Sequence, residues 1–123
     1  MNTLIVYESL MLEVAKELKS WLSQTSAIVE GYAVEIFPIA DPMILFLSNL
    51  ASKADLVLML IASDTKGYDW ISRELKMQRS MGNFHNIYPV FATKADVPKY
   101  WKDGEQKFLT MTNIATDLAN IIN

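Results

Sequence analysis

The chain has 123 residues, 51% of them hydrophobic and 20% charged, with a formal net charge of −3 and a pI near 5.0. That length holds one domain, residues 1–123, the apolar share excludes a disordered chain, and the acidic balance excludes general nucleic-acid binding, which needs a basic footprint. Cysteine is absent, which excludes disulfides, thiolate metal sites and cysteine nucleophiles.

Thr3-Leu4-Ile5-Val6-Tyr7 is a short run of β-branched and apolar residues and reads as the first strand. Ser9 is a candidate N-cap. Met11, Val14, Ala15, Leu18, Trp21 and Leu22 then follow helical spacing, with Glu13, Lys16, Glu17 and Lys19 between them, to about Ser23. Gly31 marks a turn. Ala33–Ile39 reads as the second strand, and its Glu35 and Pro38 suit a sheet edge. Asp41-Pro42 is a helix start, with Asp as N-cap and Pro at the first helical position. Ile44, Leu47, Leu50, Ala51 and Ala54 line that helix's buried face.

Leu56–Ala62 is nearly continuous apolar sequence, the pattern of a strand covered on both faces, and is expected to be central. The polar loop Ser63-Asp64-Thr65-Lys66-Gly67 follows. A third helix runs from about Asp69 to Met81, with Gly82 as its stop. Ile87–Ala92 is the fourth strand, Phe108–Met111 a short fifth, and Asn113–Ile122 a closing helix.

The expected fold is therefore three-layer α/β, with a five-stranded parallel flavodoxin-like sheet in the order 2-1-3-4-5 and helices on both faces. Pro89 is awkward in an internal fourth strand and is tolerated only if the fifth pairs briefly beside it. No apolar run approaches the ~18 residues of a membrane span, and Leu4–Tyr7 is too short for a signal-peptide core. A cytoplasmic protein that binds neither membrane nor nucleic acid is the expectation.

Doubly wound sheets bind ligands at the carboxyl ends of their strands near the switch point. Here that rim gathers Tyr7, Glu8 and Ser9 with Ser63, Asp64 and Thr65; Thr93 and Lys94 lie farther along it. Trp70 and Glu74 are four apart and share a helix face beside the rim, while Ile71, Leu75 and Gln78 define a neighbouring face. A carboxylate there could receive ligand hydroxyls while an indole stacks on a flat ring. The bland alternative makes Trp70 a core anchor and Glu74 a solvated acid. Asp64 with Lys66 could hold a metal or phosphate but reads more simply as a turn; no metal site is expected. His85, the only histidine, falls at the opposite end of the sheet. The methionines read as core filler, and Tyr100-Trp101 as residues that pack down.

The run Ala54-Asp55-Leu56-Val57-Leu58-Met59-Leu60-Ile61-Ala62-Ser63, then Asp69-Trp70-Ile71-Ser72-Arg73-Glu74-Leu75, then Ile87-Tyr88-Pro89-Val90, resembles Toll/interleukin-1 receptor (TIR) domains. Those domains show a hydrophobic strand ending in Ser, a Trp followed four residues later by Glu-Leu, and a fourth strand of the form Ile-x-Pro-Val. The resemblance implies two functions. Many TIR domains hydrolyse the nicotinamide–ribose bond of NAD with a glutamate at the position Glu74 matches, NAD being substrate rather than cofactor. Others are non-catalytic interaction modules, so the alternative for this chain is a non-catalytic protein-interaction or nucleotide-sensing module. Homo-oligomerisation is implied by the first and fits the second. The chain departs from the family at Leu4-Ile5-Val6-Tyr7-Glu8-Ser9, followed by a short loop, and at a loop after the second strand reduced to about Ala40-Asp41-Pro42. A flavodoxin-type FMN site is a poor fit, because Leu10-Met11-Leu12 cannot supply a Gly-rich phosphate loop. A receiver domain is poor too, having only Glu8 where an acidic pair is needed.

Overall fold

The computed structural model describes residues 2–7, 11–23, 28–33, 40–62, 68–102 and 108–122. In chain order these form β1 (Asn2–Tyr7), α1 (Leu12–Ser23), β2 (Ile28–Ala33), α2 (Ala40–Lys53), β3 (Leu56–Ile61), α3 (Tyr68–Ser80), β4 (Ile87–Phe91), α4 (Lys99–Lys102), β5 (Leu109–Thr110) and α5 (Ile114–Ile122). Single 3-10 turns at Lys94–Asp96 and Met111–Asn113 precede α4 and α5. Every strand pair is parallel: β2 with β1, β1 with β3, β3 with β4, and β4 with β5. Parallel neighbours cannot be joined by a tight hairpin, so each connection carries a crossover.

All six residues of β3 are buried. Their side chains alternate between two cores, as strand geometry requires. Val57, Met59 and Ile61 pack with Leu47 and Leu50 of α2, Ile71 and Leu75 of α3, and Trp101 of α4. Leu56, Leu58 and Leu60 pack with Ala15, Leu18 and Leu22 of α1 and Leu118 of α5. The α/β class and the helix-covered parallel sheet thus agree with the sequence reading. Each β3 side chain contributes about 1.5–3 kcal/mol by leaving water, so this strand supplies on the order of 10 kcal/mol of gross apolar burial.

Two boundaries differ from expectation. The strand described after α1 is Ile28–Ala33, which the sequence reading left out of its second strand, and Gly31 lies inside it opposite Ile5 rather than at a turn; of the expected Ala33–Ile39, only Ala33 is among the described residues. Glycine weakens a strand through its unfolded-state entropy, but six register pairs along β1 hold this one. Residues 34–39 lie outside those described. The helix after it begins at Ala40, so Asp41 lies in its first turn rather than capping it, and Pro42 is its third residue rather than its first.

Pro89 is accommodated by strand parity. Asn86 O accepts from Val57 N, and Ala92 N donates to Ile61 O, so even-numbered β4 residues bond toward β3. Odd-numbered ones face the other side, where β5 pairs only with Val90 and Phe91. Pro89 therefore places its missing N–H on an edge where no β5 partner pairs with it among the described residues. The preceding odd residue, Ile87, gives its N–H to Phe84 O. This stretch of edge has no N–H to offer another strand.

At the amino end of the sheet Asn86 joins two elements. Its side-chain amide donates to the Ala51 and Ala54 carbonyls at 2.9 Å each, satisfying carbonyls at the end of α2.

Candidate functional site

The best-defined polar arrangement starts at the end of α3. Gly82 has φ of 86°, a left-handed conformation that costs a glycine little. It lets the chain fold back: Asn83 N donates to Gln78 O at 2.8 Å and Gly82 N to Arg79 O at 3.0 Å. That bond pair is a Schellman termination. The return brings the Asn83 side-chain amide 2.9 Å from Gln78 Oε1 as a donor. The other end of the Gln78 amide, Nε2, donates to Glu74 Oε1 at 3.0 Å. The fold-back at Gly82 thus sets Asn83, Asn83 sets Gln78, and Gln78 orients a half-buried carboxylate. Trp70, one turn before Glu74 on the same face, is half-buried against the α2–α3 core.

The other flank of α3 is equally constrained. Ser72 is fully buried, and its hydroxyl shares a 2.6 Å hydrogen bond with the Tyr100 hydroxyl. Its carbonyl accepts from Trp101 Nε1 at 3.0 Å. Trp101 is 0% exposed and meets Phe91 and Phe108 edge-on, at centroid distances of 6.2 and 6.5 Å. Lys76 Nζ donates to the Tyr100 carbonyl. Arg73 lies 4.8 Å and Lys76 5.5 Å from the Tyr100 ring centre, and Arg73 also pairs with Asp69 at 3.0 Å. Burial raises the Tyr100 pKa above the ordinary phenol value; the Ser72 hydrogen bond and Arg73 oppose that, and Asp69 adds to it. Burial lowers the pKa of Arg79, which stacks 4.7 Å from the Tyr88 ring centre, and Tyr88 partly offsets the effect.

Among the expected rim residues, Ser9, Ser63 and Asp64 lie outside the described residues, as do Glu8, Thr65 and Lys66. Tyr7 is half-buried at the carboxyl end of β1. With Ile5, Leu12, Ala15, Lys16 and Lys19 it lines a cleft of about 210 Å³ against α1. Thr93 is committed locally, its hydroxyl donating to Asp96 Oδ2 at 2.8 Å. His85 is exposed in the turn between α3 and β4. Tyr100-Trp101 packs down as expected. The methionines divide: Met11 and Met59 are core, whereas Met77 and Met81 are 50% and 65% exposed, so filler does not describe them all.

Gln78 borders the Glu74 face from the neighbouring one. Ile71 and Leu75 are buried, while Gln78 bonds to Glu74. Sequence reasoning missed Gln78 as the partner of that carboxylate and Asn83 as the partner of Gln78. The signal was the i, i+4 spacing from Glu74 to Gln78, together with Gly82-Asn83 just past the helix. No group of three His, Asp or Glu side chains suited to a metal ion occurs among the described residues, and no helix among them is long and apolar enough to cross a membrane. No protein-family model matches the chain, and no curated protein matches it.

Proposed function

We propose that this chain is a TIR-like domain on a flavodoxin-like, doubly wound five-stranded sheet, and that it hydrolyses the nicotinamide–ribose bond of NAD with Glu74 as the catalytic carboxylate. The observation that carries the reading is the fixed orientation of Glu74 by Gln78 and Asn83 on the face it shares with Trp70. As nicotinamide departs, positive charge develops on the ribosyl carbon and ring oxygen. A carboxylate held in place beforehand stabilises that charge and orders the ribose hydroxyls without reorganising during the reaction. Trp70 offers a flat apolar face for a base or nicotinamide ring. The strand pairings support a switch point between β1 and β3, where Tyr7, Ser9, Ser63 and Asp64 would complete a nucleotide rim. Water is the acceptor, so no cofactor is needed. A cytoplasmic setting, where NAD is available, fits this reading.

An NAD-consumption assay with the wild type and Glu74→Ala tests it. The expectation is turnover that falls by at least about 100-fold in the variant. Turnover untouched by the substitution would sink the assignment.

A second reading, a non-catalytic interaction module, is favoured by one observation. Met77 and Met81 are exposed and, at 100° per residue, lie on the same side of α3 as Glu74. If wild-type protein at high concentration leaves NAD intact, that reading takes over.

A further inference from the structure

The flank of α3 opposite Glu74 carries a cationic stripe that the sequence hides. Lys94, Lys99 and Lys102 look dispersed along the chain and interleaved with acids. Folding α4 against α3 changes the picture. Arg73, Lys76 and Arg79 follow one another at three-residue intervals, which places them within about 9 Å along the helix. Two of them share one aromatic ring, Tyr100, and the third stacks on Tyr88. Lys99 and Lys102 of α4 are exposed beside Tyr100 in the chain. Of the carboxylates on α3 and α4, only Asp69 stands on this flank, and it pairs with Arg73. Lys76 is held by a neutral carbonyl, and no carboxylate pairs with it among the described residues.

Like charges three residues apart repel on a helix surface. Here ring faces and a backbone carbonyl hold them in fixed positions instead of letting them spread into solvent. That is a preorganised cationic surface. We propose that the Arg73–Lys76–Arg79 stripe, framed by Tyr100 and Tyr88, binds a short polyphosphate chain, free or as the phosphates of a nucleotide. Guanidinium forks match phosphate oxygens two at a time, and lysine adds a point charge. A long nucleic acid would meet the acidic remainder of a chain with net charge −3 and be repelled. A short ligand feels only the local stripe, because fields are screened beyond about 8–10 Å in physiological salt.

The test is titration of the full chain with sodium tripolyphosphate at low salt, followed by calorimetry and by amide NMR shifts. Binding is expected to centre its shifts on α3 and α4 and to weaken as salt rises. It should fall at least about tenfold in Arg73→Gln/Lys76→Gln, and persist in Lys16→Gln/Lys19→Gln and in Glu74→Gln. The last variant separates this site from the NAD reading. Tyr100→Leu, which removes the shared ring, should weaken binding as well, and circular dichroism checks that each variant is folded. ATP binding as tightly as tripolyphosphate assigns the free chain as ligand; tighter ATP binding with competition by adenosine assigns a nucleotide. The proposal is overturned if tripolyphosphate causes no shifts on α3, if the Arg73/Lys76 variant binds it unchanged, or if a poly-glutamate peptide binds there and tripolyphosphate does not.

Discussion

Trp101 Nε1 donates to the carbonyl of Ser72 at 3.0 Å, bridging 29 residues of sequence and fastening α4 to the middle of α3. The indole has no exposure, so this hydrogen bond forms in a water-free setting where losing one partner is costly. Two edge-on aromatic neighbours fix the ring plane. The same serine holds Tyr100 through its hydroxyl. One buried polar residue therefore positions both aromatic residues of a one-turn helix.

Replacing Trp101 by Phe keeps much of the apolar contact but removes the donor. The Ser72 carbonyl loses its indole partner, and a gap opens where the larger ring was. The expected loss is about 2–4 kcal/mol in urea unfolding, combining the polar and cavity costs. A loss under half a kcal/mol, far below the ~1 kcal/mol typical of even a modest core change, would show that the latch contributes little.

Gly82→Ala isolates a backbone effect. A Cβ built at Gly82 meets nothing within 4 Å, while φ is 86°, so the cost is conformational alone. It should be about 1–2 kcal/mol. Gly82→Asn should cost less, since asparagine visits this region more readily. Because Gly82 leads to Glu74 through Asn83 and Gln78, the alanine variant should also broaden the Gln78 side-chain amide signals in NMR. Unchanged stability together with sharp signals would contradict the coupling.

Much of the fold was legible because its strongest signals are local. β3 is six apolar residues in a row, and Gly82 announces the end of α3. The strand Ile28–Ala33 was not legible because Gly31 reads locally as a turn; only pairing with β1 makes it a strand residue. The flanks of α3 were half legible. Trp70 and Glu74 could be read from four-residue spacing, and Gln78 could have been. The grouping of Arg73 and Lys76 around Tyr100 could not, because it depends on contacts 24 residues and more away in sequence. Spacing says which residues share a helix face, not what packs against that face.

The Thr3 hydroxyl is fully buried and has no hydrogen-bond partner among the described residues. An unpaired buried hydroxyl costs stability that an isosteric methyl group does not. Thr3→Val should therefore stabilise the protein by about 1 kcal/mol, read from the urea midpoint at constant slope. Destabilisation would mean that the hydroxyl has a partner after all.

Tyr100 gives the stability a pH dependence in alkali. Its folded-state pKa lies above the ordinary value, chiefly through burial, so the neutral phenol is the form the fold favours. The stabilisation it contributes is whole below about pH 10, the unfolded tyrosine value, and is lost as pH rises through the higher folded value. Tyr100→Phe should remove that component and flatten the stability curve above pH 10 relative to wild type. Ultraviolet titration should show one phenol fewer in the late-titrating group. Matching wild-type and variant curves would place Tyr100 in ordinary solvent.

The reading of Glu74 as catalytic is tested most directly by following nicotinamide release from NAD by proton NMR, with wild type and Glu74→Gln side by side. Glutamine keeps the size of the side chain and removes only its charge, so a folding defect does not confuse the outcome. Nicotinamide and ADP-ribose are expected in equal amounts from the wild type, with a rate at least about 100-fold lower from the variant. Equal rates from the two proteins, or no nicotinamide from the wild type at high concentration, would contradict it.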